Sequence, residues 1–187
     1  LLPLDLPKEQ FVREAGKPVV FFTGDSTVKN EDKDENSMWG WASVAHTVFN
    51  TKKCTLVNAA KAGRSARTFV EEGRWEKVYN SIEPGDYVLI QFGHNDAKES
   101  DTTRYAAAYG AYQDNIRLFV DHALSVGAKP VLFTPVSRRW FDDKGNLKTN
   151  CHGDYPDAVK QVAAEYGLPI IDANAITQQW LISLGDE

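Results

Sequence analysis

The chain has 187 residues, of which 42% are hydrophobic and 25% are charged, values typical of one globular domain rather than of a disordered or coiled-coil chain. Its 21 lysines and arginines against 26 acidic residues give a net charge of −5, which argues against nucleic acid or an anionic membrane surface as a partner. No apolar run reaches the length of about 20 residues that a membrane helix needs. We therefore expect one domain over residues 1–187 and no membrane span.

Five short runs rich in β-branched and aromatic residues predict strands. They lie at residues 18–23, 55–58, 86–92, 130–134 and 168–171. Their continuous apolar character is typical of strands that are covered on both faces.

Apolar residues at helical spacing lie between and after these runs. The longest such stripe predicts a helix that ends at Gly127, and it consists of Tyr105, Tyr109, Tyr112, Ile116, Phe119, Ala123 and Val126. Three further helices are predicted from Trp41, Val44, Ala45 and Val48, from Val159, Val162, Ala163 and Tyr166 behind Pro156, and from Trp180, Leu181 and Leu184. The alternation of strands and helices predicts right-handed βαβ units, and hence a three-layer α/β/α sandwich around a parallel five-stranded sheet.

Polar loops follow the first three predicted strands. The charge-dense stretch 29–36 is expected to be a solvated loop, and it lies where open α/β sheets bind their ligands, at the carboxyl ends of the strands. Glycine-containing loops at 24–27, 59–65 and 93–96 share that edge. A serine on such a turn can act as a nucleophile, while glycine amides and an asparagine side chain can donate to a developing oxyanion. Each loop alone is more simply a turn or a helix cap, but together they indicate acyl transfer.

Taken together, the three loops resemble the SGNH or GDSL-type hydrolases. Gly24–Val28 (GDSTV), Gly63 and Gly93–Asp96 (GHND) stand in the order of that family's blocks. The longer segments at residues 58–69, 85–96 and 152–156 look like the rhamnogalacturonan acetylesterase branch.

The resemblance implies a role for three residues. Ser26 would be the nucleophile and would supply one oxyanion amide, Gly63 a second amide, and Asn95 a side-chain donor. It implies a serine esterase that removes acetyl groups from a plant-type polysaccharide such as acetylated pectin, and this substrate class implies a location outside the cytoplasm. We expect no cofactor and no metal, since the four histidines form no ligand cluster with usable spacing. A short-chain lipase-like esterase and an inactive carbohydrate-binding relative are the alternatives.

One block of the family has no counterpart in these residues. The family carries Asp-x-x-His near its C-terminus, whereas Ser43, Gln91, Phe119 and Thr149 precede the four histidines by three positions. Three explanations stay open: a chain that lacks its C-terminal segment, a natural loss of activity, and an internal base. His152, near Asp154, is the best internal candidate.

Several other side chains suggest contacts with a sugar. Arg64 and Arg67 could bind the carboxylate of a galacturonate residue, although surface ion pairs are the simpler interpretation. Trp140 is the better candidate for stacking on a sugar ring, because Trp41 is expected to lie in the core.

Overall fold

The computed structural model describes residues 10–29 and 39–186. The strands are β1 (Val19–Gly24), β2 (Thr55–Asn58), β3 (Tyr87–Gln91), β4 (Lys129–Phe133) and β5 (Ile170–Ile171). The α-helices are α1 (Ala66–Glu71), α2 (Arg74–Tyr79), α3 (Gln113–Ser125), α4 (Tyr155–Tyr166) and α5 (Ala173–Leu184), with a 3-10 helix at Trp41–Thr47. Of the charge-dense stretch predicted to be a loop, residues 30–36 lie outside the described residues.

The five strands form one sheet in the order β2-β1-β3-β4-β5, and every pairing is parallel. All five predicted strands are therefore confirmed. The interior strand β1 pairs with β2 from Val19 to Phe22 and with β3 up to Gly24, which lies opposite Gln91. This order brings the carboxyl ends of β2, β1 and β3 side by side.

The sheet is covered on both faces, as the predicted three-layer sandwich requires. Val19 and Phe21 of β1 pack against helices α1 to α4, and the neighbouring Val20 and Phe22 pack on the other face with the 3-10 helix and Ala173 of α5. Successive side chains of a strand point to opposite faces, so the continuous apolar run serves two cores at once.

The longest predicted helix begins later than its apolar stripe suggested. A π-helical turn at Ala108–Tyr112 precedes α3, and Tyr109 and Gly110 inside it have non-helical backbone angles. Gly110, at φ −135° and ψ −119°, breaks the helical path, and Tyr109 is 52% exposed. Tyr105 and Tyr109 thus do not extend the buried stripe, and that part of the prediction is wrong.

The segment predicted from Trp41 is helical, but its buried face differs from the predicted one. Ala42 and Ala45 are buried, whereas Val44 and Val48 are exposed. The cause is the tighter 3-10 winding, which brings positions three residues apart onto one face.

The other predicted helices correspond to α4 and α5. Helix α4 buries Val159, Val162 and Ala163 as expected, and α5 buries Leu181 but leaves Trp180 exposed. Among the described residues, no helix has the length and apolar character that crossing a membrane requires.

Candidate active site

The loop after β1 carries Ser26 and is held by the carboxylate of its neighbour. Asp25 Oδ1 accepts hydrogen bonds from the Thr27 amide at 2.9 Å and from the Thr27 hydroxyl at 2.8 Å. Its own carbonyl oxygen accepts from the amides of Val28 and Lys29. These bonds fix the backbone on both sides of Ser26, which is itself only partly buried.

A buried glutamine connects this loop to the sheet. Gln91, at the end of β3, donates through Nε2 to the Thr27 hydroxyl at 2.7 Å, and its Oε1 accepts from the Trp41 indole at 2.9 Å. Trp41 also stacks on Phe133, with ring centroids 5.2 Å apart, so it belongs to the core as expected. The sequence analysis missed Gln91, although a polar residue at the end of an apolar strand was a usable signal.

The second loop begins at β2 and leads into α1. The Lys61 amide donates to the Gly24 carbonyl oxygen at 3.0 Å, which places this loop against the serine loop. Gly63 has φ +76°, in the left-handed region that glycine enters without steric cost. Ser65 then caps α1, since its hydroxyl accepts from the Thr68 amide and the Thr68 hydroxyl accepts from the Ser65 amide.

Asn95 connects the third loop to the second. Its Nδ2 donates to the Arg64 carbonyl oxygen at 3.0 Å, and its Oδ1 accepts from Arg104 at 3.2 Å. Because a guanidinium can only donate, Arg104 fixes which end of the amide is oxygen. Arg104 is in turn paired with Asp101, and sequence reasoning gave no reason to single it out.

Three donors in these loops have no acceptor among the described residues. The amides of Ser26 and Gly63 donate to no described residue, and the second Nδ2 hydrogen of Asn95 makes no further bond there. Hydrogen bonds connect the three loops that carry these donors. The Lys61 amide joins the second loop to Gly24, and Asn95 Nδ2 joins the third loop to Arg64. Fixed donors of this kind stabilise negative charge that develops on an oxygen during reaction.

A buried carboxyl group lies under the loops. Asp96 accepts from the Ala66 amide at 2.9 Å and from the Gly93 amide at 3.0 Å, so it joins the start of α1 to the third loop. Burial raises the pKa of Asp96 to about 8, and the nearby Asp25 adds to the increase. Burial likewise raises the pKa of Asp25 to about 6, against the hydrogen bonds from Thr27.

The structure brings together two histidines that the sequence analysis considered separately. His152 Nε2 lies 3.0 Å from His94 Nδ1, and His152 Nδ1 lies 3.2 Å from the Cys151 sulfur. Burial, followed by the charge of Arg138, lowers the pKa of His94 to about 4. Burial, followed by His94, lowers the pKa of His152 to about 3. Both imidazoles are therefore neutral at neutral pH.

The arginines after Gly63 form ion pairs, as the simpler interpretation held. Arg64 Nε lies 3.0 Å from Glu72 and Arg67 Nε lies 2.7 Å from Glu71. Trp140 is 53% exposed and lies beside Arg138, whose Cζ is 5.2 Å from the indole centroid. Cys54 and Cys151 are both free thiols.

Comparison with known proteins places the chain among known families. Residues 22–184 match the sequence model of the GDSL-like lipase/acylhydrolase family, a range that includes Ser26, Gly63 and Asn95. Rhamnogalacturonan acetylesterase RhgT of Bacillus subtilis is 42% identical over 172 residues, which are 91% of this chain and 72% of the relative. The probable rhamnogalacturonan acetylesterase YesY of the same organism is 34% identical over 169 residues, which are 90% of this chain and 76% of the relative.

Solved structures show the same fold. The Bacillus subtilis protein YxiM superposes with a TM-score of 0.79 at 24% identity, covering 91% of this chain and 47% of that one. Axe2, an acetylxylan esterase of Geobacillus stearothermophilus, superposes with a TM-score of 0.65 at 18% identity, covering 88% of this chain and 80% of that one. The resemblance found in the sequence is confirmed, and the chain belongs to the GDSL-like lipase/acylhydrolase family.

Proposed function

We propose that this protein is a carbohydrate O-acetyl esterase that removes acetyl groups from an acetylated pectin-type polysaccharide. The observation that carries the proposal is a set of three donors, from Ser26, Gly63 and Asn95, that have no acceptor in the described part of the chain and lie on connected loops at one edge of the sheet. The names of the two Bacillus subtilis relatives support the substrate class. A polymer of this kind does not cross a membrane, so the proposal includes action outside the cytoplasm.

The proposed reaction proceeds through an acetylated serine. Ser26 Oγ attacks the ester carbonyl carbon, and the negative charge that forms on the carbonyl oxygen is stabilised by the two amides and by Asn95 Nδ2. The bond between the acetyl carbon and the sugar oxygen then breaks, and the sugar hydroxyl leaves with a proton. Water attacks the acetyl-serine in turn, which releases acetate and regenerates the Ser26 hydroxyl.

The proton of Ser26 needs an acceptor, and His152 fits that role poorly. Its Nε2 is engaged with His94 and its Nδ1 with Cys151, so neither ring nitrogen is left for a serine hydroxyl. Since the 187 residues contain no Asp-x-x-His, we propose that Ser26 in this chain reacts slowly and that an added base accelerates it.

Mass spectrometry after incubation with p-nitrophenyl acetate tests this proposal. We expect an acetyl adduct on Ser26 that forms faster when imidazole is added, and no adduct at that position in Ser26→Ala. The matched control is Ser43→Ala, which should leave the adduct in place. It removes a hydroxyl on the 3-10 helix that donates to the carbonyl oxygen of Gly40, just before that helix.

Two results would contradict parts of the proposal. An adduct on another residue, with Ser26 unmodified, would remove Ser26 as the nucleophile. Rapid acetylation without imidazole, lost in His152→Ala, would show that the base is internal. The substrate class is tested separately by acetate release from acetylated pectin.

A further inference from the structure

The guanidinium of Arg138, beside the site, has no carboxylate partner among residues 10–29 and 39–186. Arg138, on the loop after β4, donates through Nη2 to the carbonyl oxygen of His94 at 2.9 Å, next to Asn95 in the chain. Its Cζ lies 5.2 Å from the centroid of the Trp140 ring, and its Nε is buried without an acceptor among the described residues. The side chain is thus held in place by neutral groups.

The neighbouring arginines differ from Arg138 in this respect. Arg64, Arg67 and Arg104 each form an ion pair with a carboxylate close in the sequence. Arg138 forms none with the residues that the structure describes. A partly buried cation that has no counter-charge in the described part of the chain, and whose Nε lacks an acceptor there, is unfavourable for folding, and an anionic ligand would supply the missing counter-charge.

The charge of Arg138 reaches the catalytic loops. Arg138 and Lys98 both act to lower the pKa of Asp25, against the larger effect of its burial. Arg138 is also among the causes that lower the pKa of Lys98, after burial and Arg104. Arg138 and Lys98 therefore both lie near this edge of the sheet, beside Arg104, which is paired with Asp101, and cations without a paired carboxylate favour an anionic ligand.

We propose that Arg138 binds the carboxylate of a uronate residue in the substrate, while the exposed Trp140 indole stacks on the ring of that sugar. Arg138 Nη1 makes no hydrogen bond with a described residue, so it is available to an anion. A planar guanidinium matches a carboxylate in shape and charge. The assignment rests on the proposed function and replaces Arg64 and Arg67, which are paired with Glu72 and Glu71, as the carboxylate-binding residues.

Calorimetric titration with two oligosaccharides tests the assignment without any need for turnover. Trigalacturonate carries the carboxylates, and xylotriose is its neutral counterpart. We expect the 187-residue protein to bind trigalacturonate at least about tenfold more tightly than xylotriose, and less tightly as salt is added. Arg138→Gln should reduce the ratio of the two dissociation constants about tenfold, and Arg138→Lys should reduce it less. Arg67→Gln is the matched control, because Arg67 is paired with Glu71, and it should keep the original ratio.

The possible results separate recognition from structure. The proposal would be overturned if Arg138→Gln left the ratio of the two dissociation constants unchanged. If both dissociation constants rose by the same factor, the role of Arg138 would be structural. If Arg138→Gln does not fold, as judged by thermal melting, Arg138→Lys is the deciding variant, since it keeps the charge but not the planar guanidinium. A ratio that Arg138→Lys leaves unchanged would then overturn the proposal. Failure to release acetate from acetylated pectin even with imidazole added, with the binding ratio intact, would overturn the proposed function alone.

Discussion

At Asn95 the direction of one amide group is fixed from both ends. Arg104 holds the oxygen and the Arg64 carbonyl holds one of the two Nδ2 hydrogens, so the other hydrogen has a defined direction. Asn95 is 3% exposed, and a buried donor without an acceptor is unfavourable by about 1–3 kcal/mol. Fold stability alone does not account for such a donor, and the proposed role in binding an oxyanion would supply the acceptor it lacks among the described residues.

We expect Asn95→Ala to lower the rate constant for acetylation of Ser26 about 100-fold or more, because an oxyanion donor acts chiefly in the transition state. The ester concentration that gives half the maximal rate should change little. The absorbance of p-nitrophenol released from p-nitrophenyl acetate, followed over time with imidazole present, measures both quantities. Asn115→Ala is the matched control, since that partly exposed side chain on α3 donates to the Ala111 carbonyl oxygen in the preceding π-helical turn. A loss confined to substrate affinity would show that Asn95 binds the ester rather than the transition state.

At the scale of the elements, the backbone is tightly packed at the carboxyl end of β1, next to the site. A Cβ built on Gly24 would lie 2.5 Å from the Gln91 carbonyl oxygen and 2.6 Å from a Val28 methyl group. A backbone oxygen cannot move away without disturbing the pairing of β1 with β3. Gly24 is therefore needed for the close approach of β1 and β3. This requirement is independent of any effect that Gly24 has on Ser26.

Gly24→Ala should accordingly destabilise the fold by about 3 kcal/mol, as other overpacked sites do. Urea unfolding followed by tryptophan fluorescence measures the change. Gly16→Ala is a suitable comparison, because Gly16 has φ +76° and no atom within 4 Å of a built Cβ; it should lose only about 1 kcal/mol from the left-handed backbone. If both variants lost the same free energy of unfolding, the Gln91 carbonyl oxygen would be able to move away from the added Cβ at little cost.

The same scale shows how far the sequence could predict the structure. Strands β1 and β3 are buried on both faces, so their continuous apolar runs could be recognised from the sequence without knowing which elements pack against them. Helices α1 and α2 have six residues each, too few to establish a helical period, and both were missed. A better signal was the pair Ser65 and Thr68, whose spacing suits a helix start.

The site was predictable only in part, for a related reason. Parallel strands end at one edge, so the loops of Ser26, Gly63 and Asn95 could be placed together from the sequence. The side chains that orient these loops could not be predicted, because each bonds a residue that is far away in the sequence. Gln91 lies 64 positions from Thr27 and His152 lies 58 positions from His94, and no local pattern encodes such a pairing.

At the scale of the whole molecule, two pairs of buried ionisable groups act on stability in opposite directions. The pKa values of His94 and His152 are lowered to about 4 and about 3, so their contribution is fully present above pH 6.5 and is lost as the pH falls toward those values. The pKa values of Asp25 and Asp96 are raised to about 6 and about 8. Their contribution is present below pH 3.8 and is lost as the pH rises through those values.

These signs predict how the free energy of unfolding depends on pH. Between about pH 4.5 and 6 the unfolded chain binds two more protons at the histidines and the native chain two more at the aspartates, so the effects cancel. Above pH 6.5 the histidines of the unfolded chain lose their extra protons and Asp96 increasingly dominates, so stability should fall with rising pH, by less than about 1.4 kcal/mol per pH unit, until the pH passes about 8. Urea unfolding at pH steps from 4.5 to 8.5 measures the profile.

Two variants separate the contributions. Asp96→Asn should remove the fall above pH 6.5, because an amide does not titrate there. His152→Gln removes one of the two histidine contributions, so stability should already decrease with rising pH between 4.5 and 6. If Asp96→Asn kept the full decrease above pH 6.5, Asp96 would be ionised at neutral pH and held by the Ala66 and Gly93 amides. The buried carboxylate would then support the start of α1 and the third loop as a charge rather than as a neutral acid.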